Sequence, residues 1–306
     1  MVHILNGEQF ADENILEKIF KRARELEEAD AEGQAPKLLS GKIVATVFYE
    51  TSTRTRLSFE SGALKLGGGV ISVADPKTSS ASKGESLEDA IKVIGGYSDI
   101  IVLRHPENGA AARAADVSRV PVINAGDGSN EHPTQALYDL YSIQKELGKI
   151  DGLKIAFMSD LRYQRNAHSL IPLFCLFKNL EIYFIGPTEL ALPQVYKDRL
   201  AAAGIKFKEL PQIDSILPEI DVLYVGRVFK ERFQDEAEYE KLKKSFFVDQ
   251  NTLARMKKDS LILHVMPRVF EIDPKVDADP RAGYFRQAKN GLYVRMALLL
   301  YALDLY

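Results

Sequence analysis

The chain has 306 residues, 46% of them hydrophobic and 27% charged. That length buries about three quarters of the unfolded surface, and the composition excludes disordered, fibrous and disulfide-dependent proteins. With 40 Lys and Arg against 43 Asp and Glu, the net charge of −3 offers no broad basic field for a nucleic-acid backbone. From Lys42 onward, short β-branched runs alternate with amphipathic stretches. Lys42–Tyr49 reads as a buried strand and Arg56–Lys65 as a helix; Val70–Val73 is a second strand. Leu87–Ile94 is a helix with Leu87, Ile91 and Ile94 on one side. Asp99–Leu103 and Val120–Asn124 complete a first group of four strands. Near-continuous apolar strands alternating with helices imply a parallel sheet covered on both faces.

Pro133 opens a helix running to about Leu147. Gly148-Lys-Ile-Asp-Gly152 reads as a linker. A second series of strands follows at Leu153–Met158, Leu180–Ile185, Ile205–Leu210, Asp221–Val225 and Leu261–Val265. Residues 285–306 read as a terminal helix with Leu292, Met296, Leu299 and Leu303 on one face. The expected architecture is α/β: two doubly wound parallel-sheet domains, 1–149 and 150–284, joined by interdomain helices, with 285–306 packing back on the first. No apolar run approaches the ~20 residues of a membrane span. The N-terminus lacks the basic and apolar regions of a secretory leader, so a cytoplasmic location is expected. Cys175 reads as a buried, inert thiol. The five histidines are scattered, without zinc-site spacing, and no metal or cofactor is expected.

In open parallel sheets, ligands bind beyond the carboxyl ends of the strands, and between domains. Directly after the first strand stands Glu50-Thr-Ser-Thr-Arg-Thr-Arg56. Ser52, Thr53 and Thr55 offer hydroxyls, the following helix offers free N–H groups, and Arg54 adds a planar fork suited to phosphate oxygens. A plain helix cap would use one hydroxyl, not three interleaved with two arginines. The Gly-x4-Gly-Lys spacing of a Walker loop is absent. Arg104-His-Pro106 follows the third strand, and His132-Pro-Thr-Gln135 lies beyond the fourth. The second series places Asp160-Leu-Arg-Tyr-Gln-Arg165 after its first strand, Gly226-Arg227 after its fourth and His264-Val-Met-Pro-Arg268 after its last. Arginines gathered at strand ends imply a substrate with several negative charges.

Ser52-Thr-Arg-Thr-Arg56, Arg104-His-Pro106, His132-Pro-Thr-Gln135 and Arg227-Val-Phe-Lys-Glu-Arg232, in this order over nearly the whole chain, resemble the aspartate/ornithine carbamoyltransferase family, on its aspartate side. The resemblance implies transfer of the carbamoyl group of carbamoyl phosphate to the amine of L-aspartate, in pyrimidine biosynthesis. It implies that domain 1–149 binds carbamoyl phosphate and 150–284 the amino acid. Ser52, Thr53, Arg54 and Thr55 would hold the phosphate. Arg104, His132 and Thr55 would polarise the carbamoyl carbonyl, and Gln135 would bind its NH₂. Ser79, Met266 and Pro267 would add contacts to carbamoyl phosphate. Arg165 and Arg227 would bind the two carboxylates of aspartate, with Lys83 contributing. The polar loop Ser79-Ser-Ala-Ser-Lys83-Gly-Glu85 would enter the site of a neighbouring subunit, making a homotrimer with shared active sites. A regulatory chain is left open as a further partner.

The second-substrate half departs from the family pattern. Phe229 stands where a glutamine is usual, Phe270 where an aspartate is common, and His264-Val-Met-Pro-Arg268 replaces His-Pro-Leu-Pro-Arg. Ser159-Asp-Leu-Arg-Tyr-Gln-Arg-Asn166 replaces Gly-Asp-Leu-Lys-Tyr-Gly-Arg-Thr. Other readings are thus a different amino-acid acceptor, or a weakly active paralogue serving as an assembly or regulatory subunit. Ornithine is disfavoured, because two arginines suit a dicarboxylate and the His-Cys-Leu-Pro and Ser-Met-Gly segments are missing.

Overall fold

A computed structural model of the chain describes residues 1–75, 79–227, 240 and 246–306. They fall into two compact units. The first comprises Met1–Tyr141, His168–Leu173 and Ala288–Tyr306; the second comprises Ser142–Ala167 and Phe174–Gln287.

The first unit opens with α1 (Glu13–Ala31), ahead of the first element read from sequence. Asp12 caps it by accepting from the N–H groups of Asn14 and Ile15, and Leu16, Ile19, Phe20, Ala23 and Leu26 form its buried stripe. Then come β1 (Ile43–Phe48), α2 (Thr53–Lys65), β2 (Gly69–Val73), α3 (Leu87–Gly95) and β3 (Ile100–His105). After them α4 (Ala110–Val117), β4 (Val122–Asp127) and α5 (Pro133–Leu147) complete the series. The strands lie parallel in the order β2-β1-β3-β4, with Val44 opposite both Val70 and Ile100, and Ile101 opposite Val122. β1, β3 and β4 are buried almost throughout, which is why they read as unbroken apolar runs, whereas the outer strand β2 is mostly exposed.

Three boundaries differ from expectation. The helix expected from Arg56 begins at Thr53, which draws the hydroxyl-rich segment into its first turn. The fourth strand runs to Asp127 rather than Asn124, because the loop beyond it is tied down by side-chain bonds. The terminal helix α9 (Tyr284–Ala302) is not amphipathic: residues 293–300 are all buried, and Leu303 lies past its end. Gly62 lets α9 approach α2, since a methyl group there would lie 2.9 Å from Met296 Cγ.

The second unit contains β5 (Lys154–Met158), the ends of α6 (Arg165–Phe174), whose His168–Leu173 count with the first unit, β6 (Glu181–Ile185), α7 (Gln194–Ala202) and β7 (Lys206–Leu210). β8 (Val222–Val225), α8 (Gln250–Arg255) and β9 (Leu261–His264) follow. All five strands are parallel, in the order β7-β6-β5-β8-β9. Ala156, Met158, Ile185, Leu223, Val225 and Ile262 centre its core. Cys175 is half-buried rather than buried. No helix among the described residues is long and apolar enough to cross a membrane.

Each sheet reverses its strand order once: between β1 and β3 in the first unit, and between β5 and β8 in the second. Helices leaving such neighbours go to opposite faces, so a crevice opens beyond their carboxyl ends.

Candidate active site

In the first unit, the reversal point carries the hydroxyl-rich segment on one strand and Arg104 on the other. Ser52 has the extended backbone of an N-cap residue, yet its side chain makes no capping hydrogen bond. The first-turn N–H groups of α2 and the positive end of its dipole therefore remain for an anion. Thr55 is buried, and Thr53 and Arg54 are exposed. The Ser58 hydroxyl lies 2.7 Å from the Arg54 carbonyl and 2.9 Å from that of Thr55, which ties down the turn carrying them. Beneath it, Arg295 Nη1 donates to Ser58 Oγ at 2.6 Å.

Arg295 is a residue that motif reading missed. It is fully buried in α9, with its guanidinium 5.3 Å from the Phe59 ring and 4.9 Å from that of Tyr138. Burial pushes its pKa below the ordinary arginine value, opposed by Tyr138 and Asp139. Its Nε and Nη2 have no hydrogen-bond partner among the described residues. Each such buried donor costs about 1–3 kcal/mol, which makes this cation a poor investment for stability alone. The signal was available, since Arg295 is the lone charge between Leu292 and Leu300.

Arg104 is 8% exposed; Nη1 donates to the Ala125 carbonyl at 3.2 Å, and Nη2 meets Glu50 Oε1 at 2.7 Å. Beyond β4, buried Asp127 organises the loop by accepting from Gly109 N, Asn124 Nδ2, Asn130 Nδ2 and Glu131 N. His132 follows, buried, with its backbone N–H donating to Ser169 Oγ at 2.8 Å. Ser169 in turn donates to Glu131, so one side chain distant in sequence, anchored to the neighbouring Glu131, fixes where His132 stands. Gln135 is buried, and its Nε2 donates to Asp139 at 2.9 Å, which leaves Oε1 as the end not spent on that bond. The sheet thus places Arg104 at the carboxyl end of β3, and the Ser52–Thr55 segment, His132 and Gln135 beyond the carboxyl ends of its two neighbours, β1 and β4.

Ser79 and Lys83 follow the outermost strand, β2. Their segment is not an open loop: Ser80–Lys83 forms a 3₁₀ turn, with Ser82 bonding back to the Ser79 carbonyl. Lys83 is exposed.

In the second unit, β5, β8 and β9 are neighbours, and Arg165, Arg227, Met266 and Pro267 lie beyond their ends. Arg165 opens α6, and Asn166 Nδ2 donates to the Tyr224 hydroxyl on β8 at 2.6 Å. Arg227 is half-buried. Ser159 and Gln164 are buried, and Ser159 Oγ and Gln164 Nε2 have no hydrogen-bond partner among the described residues. Met266 takes a left-handed backbone, φ 48°, and its N–H donates to His264 Nδ1 at 2.8 Å. His264 Nε2 lies 3.7 Å from Glu271, whose carboxylate also accepts from Val269 N and Phe270 N. Phe229 and Arg232 lie outside the described residues. No group of three or more His, Cys, Asp or Glu among the described residues could hold a metal ion.

Two family models match. The carbamoyl-phosphate-binding domain of the aspartate/ornithine carbamoyltransferases covers residues 2–145, and their Asp/Orn-binding domain covers 151–302. The chain belongs to the aspartate/ornithine carbamoyltransferase family. Among relatives in this family, the aspartate carbamoyltransferase catalytic subunit of Methanocaldococcus jannaschii is 53% identical over 98% of this chain and 97% of its own length. The chloroplastic aspartate carbamoyltransferase of Arabidopsis thaliana is 47% identical over 97% of this chain and 76% of its own. A solved M. jannaschii catalytic subunit aligns with TM-score 0.93 and 50% identity, covering 99% of this chain and 98% of that one. The Trypanosoma cruzi aspartate transcarbamoylase, solved with N-(phosphonacetyl)-L-aspartic acid, aligns with TM-score 0.92 and 35% identity, over 97% and 94% of the two chains.

Proposed function

We propose that this carbamoyltransferase moves the carbamoyl group of carbamoyl phosphate to the amine of L-aspartate, giving N-carbamoyl-L-aspartate and phosphate. The observation that carries the reading is that the strand-order reversal in each unit bears one half of the required chemistry. The first bears an anion site and fixed donors; the second bears two arginines. Carbamoyl phosphate and aspartate are also the ligands of a related T. cruzi structure.

Phosphate would sit at the first turn of α2, held by Ser52, Thr53, Arg54 and Thr55, with Ser79, Met266 and Pro267 as further contacts. Thr55, Arg104 and His132 would stabilise the oxyanion that forms when the amine attacks the carbamoyl carbon. Gln135 Oε1 would accept from the carbamoyl NH₂. Arg165 and Arg227 would pair with the two carboxylates of aspartate, assisted by Lys83. Phosphate is a good leaving group and takes up a proton as the intermediate collapses, so the reaction needs orientation and charge stabilisation but no cofactor.

In this reading the enzyme serves pyrimidine biosynthesis, in the cytoplasm. Leu57 and Leu64 on α2 and Ile71 on β2 are each 38–59% exposed, and a homotrimer would be expected to cover apolar side chains of this kind. Exposed Lys83 would then serve the neighbouring subunit's site.

Formation of carbamoyl-aspartate from carbamoyl phosphate, with ornithine and other amino acids run in parallel, tests this reading. Turnover with aspartate is expected; turnover with another acceptor alone would replace aspartate, and none at all would leave a silent paralogue.

A further inference from the structure

The reversal point of the second unit contains polar groups that the fold leaves unused. Ser159 lies directly after β5 and Gln164 directly before α6, at 0% and 6% exposure. Ser159 Oγ and Gln164 Nε2 make no hydrogen bond within the described residues. The two side chains close on one spot. A methyl group on Gly226, the residue after β8, would lie 2.1 Å from Gln164 Oε1 and 2.2 Å from Ser159 Oγ. Gly226 therefore has to be glycine for these two side chains to stay. Gln164 directly precedes Arg165 and Gly226 directly precedes Arg227 in the chain, so the spot is built from the chain neighbours of both arginines.

The amide nitrogen and the hydroxyl each have a hydrogen to donate and no acceptor among the described residues, and a negative acceptor suits the positive end of α6. A carboxylate oxygen supplies it; an amine or ammonium does not. We propose that Gln164 is a specificity-determining contact for the acceptor amino acid, its side-chain amide donating to a carboxylate oxygen held by Arg165 and Arg227, with the Ser159 hydroxyl beside it. This inference rests on the carbamoyl-transfer reading.

The test uses the full chain and measures kcat and KM for L-aspartate and for carbamoyl phosphate separately, with thermal midpoints as a check of folding. Gln164→Gly is expected to raise the KM for aspartate about tenfold to a hundredfold, as for loss of a hydrogen bond to a charged group, and to leave that for carbamoyl phosphate within about twofold. Gln164→Glu, nearly equal in shape, is expected to weaken aspartate use further, because its carboxylate repels the substrate's. An inactive wild type sinks the carbamoyl-transfer reading itself. An active wild type with an unchanged aspartate KM in Gln164→Gly, or with both KM values raised equally, overturns the role of Gln164 alone. Loss of fold in both variants makes Gln164 a packing residue and overturns it as well.

Discussion

Glu50 and Arg104 pair at 2.7 Å across the carboxyl ends of β1 and β3, with the arginine side chain 9% exposed and the glutamate 33%. The guanidinium proposed to stabilise the oxyanion is thus already partly neutralised, and an arriving carbamoyl phosphate would compete with Glu50 for it. Glu50→Gln keeps the shape and removes the charge, so inorganic phosphate is expected to bind more tightly, as read by calorimetry. Arg104→Ala is expected to lower kcat by about 10²–10³, in line with removal of one oxyanion donor. Weaker phosphate binding in Glu50→Gln would make Glu50 an orienting group instead.

Arg295→Met separates stability from activity. Replacing a fully buried cation that has two unmet donors by an apolar side chain of similar length is often neutral or stabilising. The thermal midpoint is expected to hold or rise. Ser58 loses its partner and the α2 turn its brace, so the KM for carbamoyl phosphate is expected to rise. A variant that melts lower and keeps wild-type kinetics would mark Arg295 as structural.

The His264–Glu271 contact sets a pH dependence. Burial holds the imidazole below its ordinary 6.5, outweighing the nearby carboxylate. Between 6.5 and the folded value, the unfolded chain binds the extra proton, so this contribution is full above 6.5 and is lost as pH falls. Burial would raise Glu271, but the imidazole 3.7 Å away and the hydrogen bond from the Val269 N–H outweigh it and hold the carboxyl below 4.5. Its contribution is lost in turn as pH falls below that value. The thermal midpoint is expected to drop on acidification below 6.5, and His264→Gln is expected to flatten the slope. An identical slope in the variant would assign it elsewhere, His3 and His105 being lowered by burial too.

The shared-site trimer is tested by complementation. Arg54→Ala and Lys83→Ala are each expected to be inactive alone. In a cyclic trimer of mixed subunits, one boundary joins an intact Arg54 to an intact Lys83, and activity is expected to return there. Hybrid trimers as inactive as their parents would place Lys83 in its own subunit's chemistry, or in none.

Parallel strands buried on both faces announce themselves as apolar runs, so both sheets were legible from Lys42 onward, as were the motifs that follow their strands. Three features were not. α1 precedes that reading, and α4 is an alanine-rich stretch of weak periodicity. α9 is buried on every side over 293–300, and an expected stripe on Leu292, Met296, Leu299 and Leu303 missed that this run is core. Above all, the residues that hold the site residues, Ser169 for His132 and Arg295 for the α2 turn, are brought in by tertiary packing across 37 and 237 positions. No spacing rule reaches that far.

The helix that carries Arg295 is made after the second unit's sheet, although its residues from Ala288 onward belong to the first unit. A ribosome delivering the chain from its N-terminus exposes β1–β4 and the α2 turn long before α9 emerges. Until then Ser58 lacks its guanidinium and Gly62 faces no Met296. The nascent first unit thus waits with an uncovered apolar flank, a span in which chaperone capture or cleavage would find it, and the α2 turn gains its brace only once the second unit's sheet has been made.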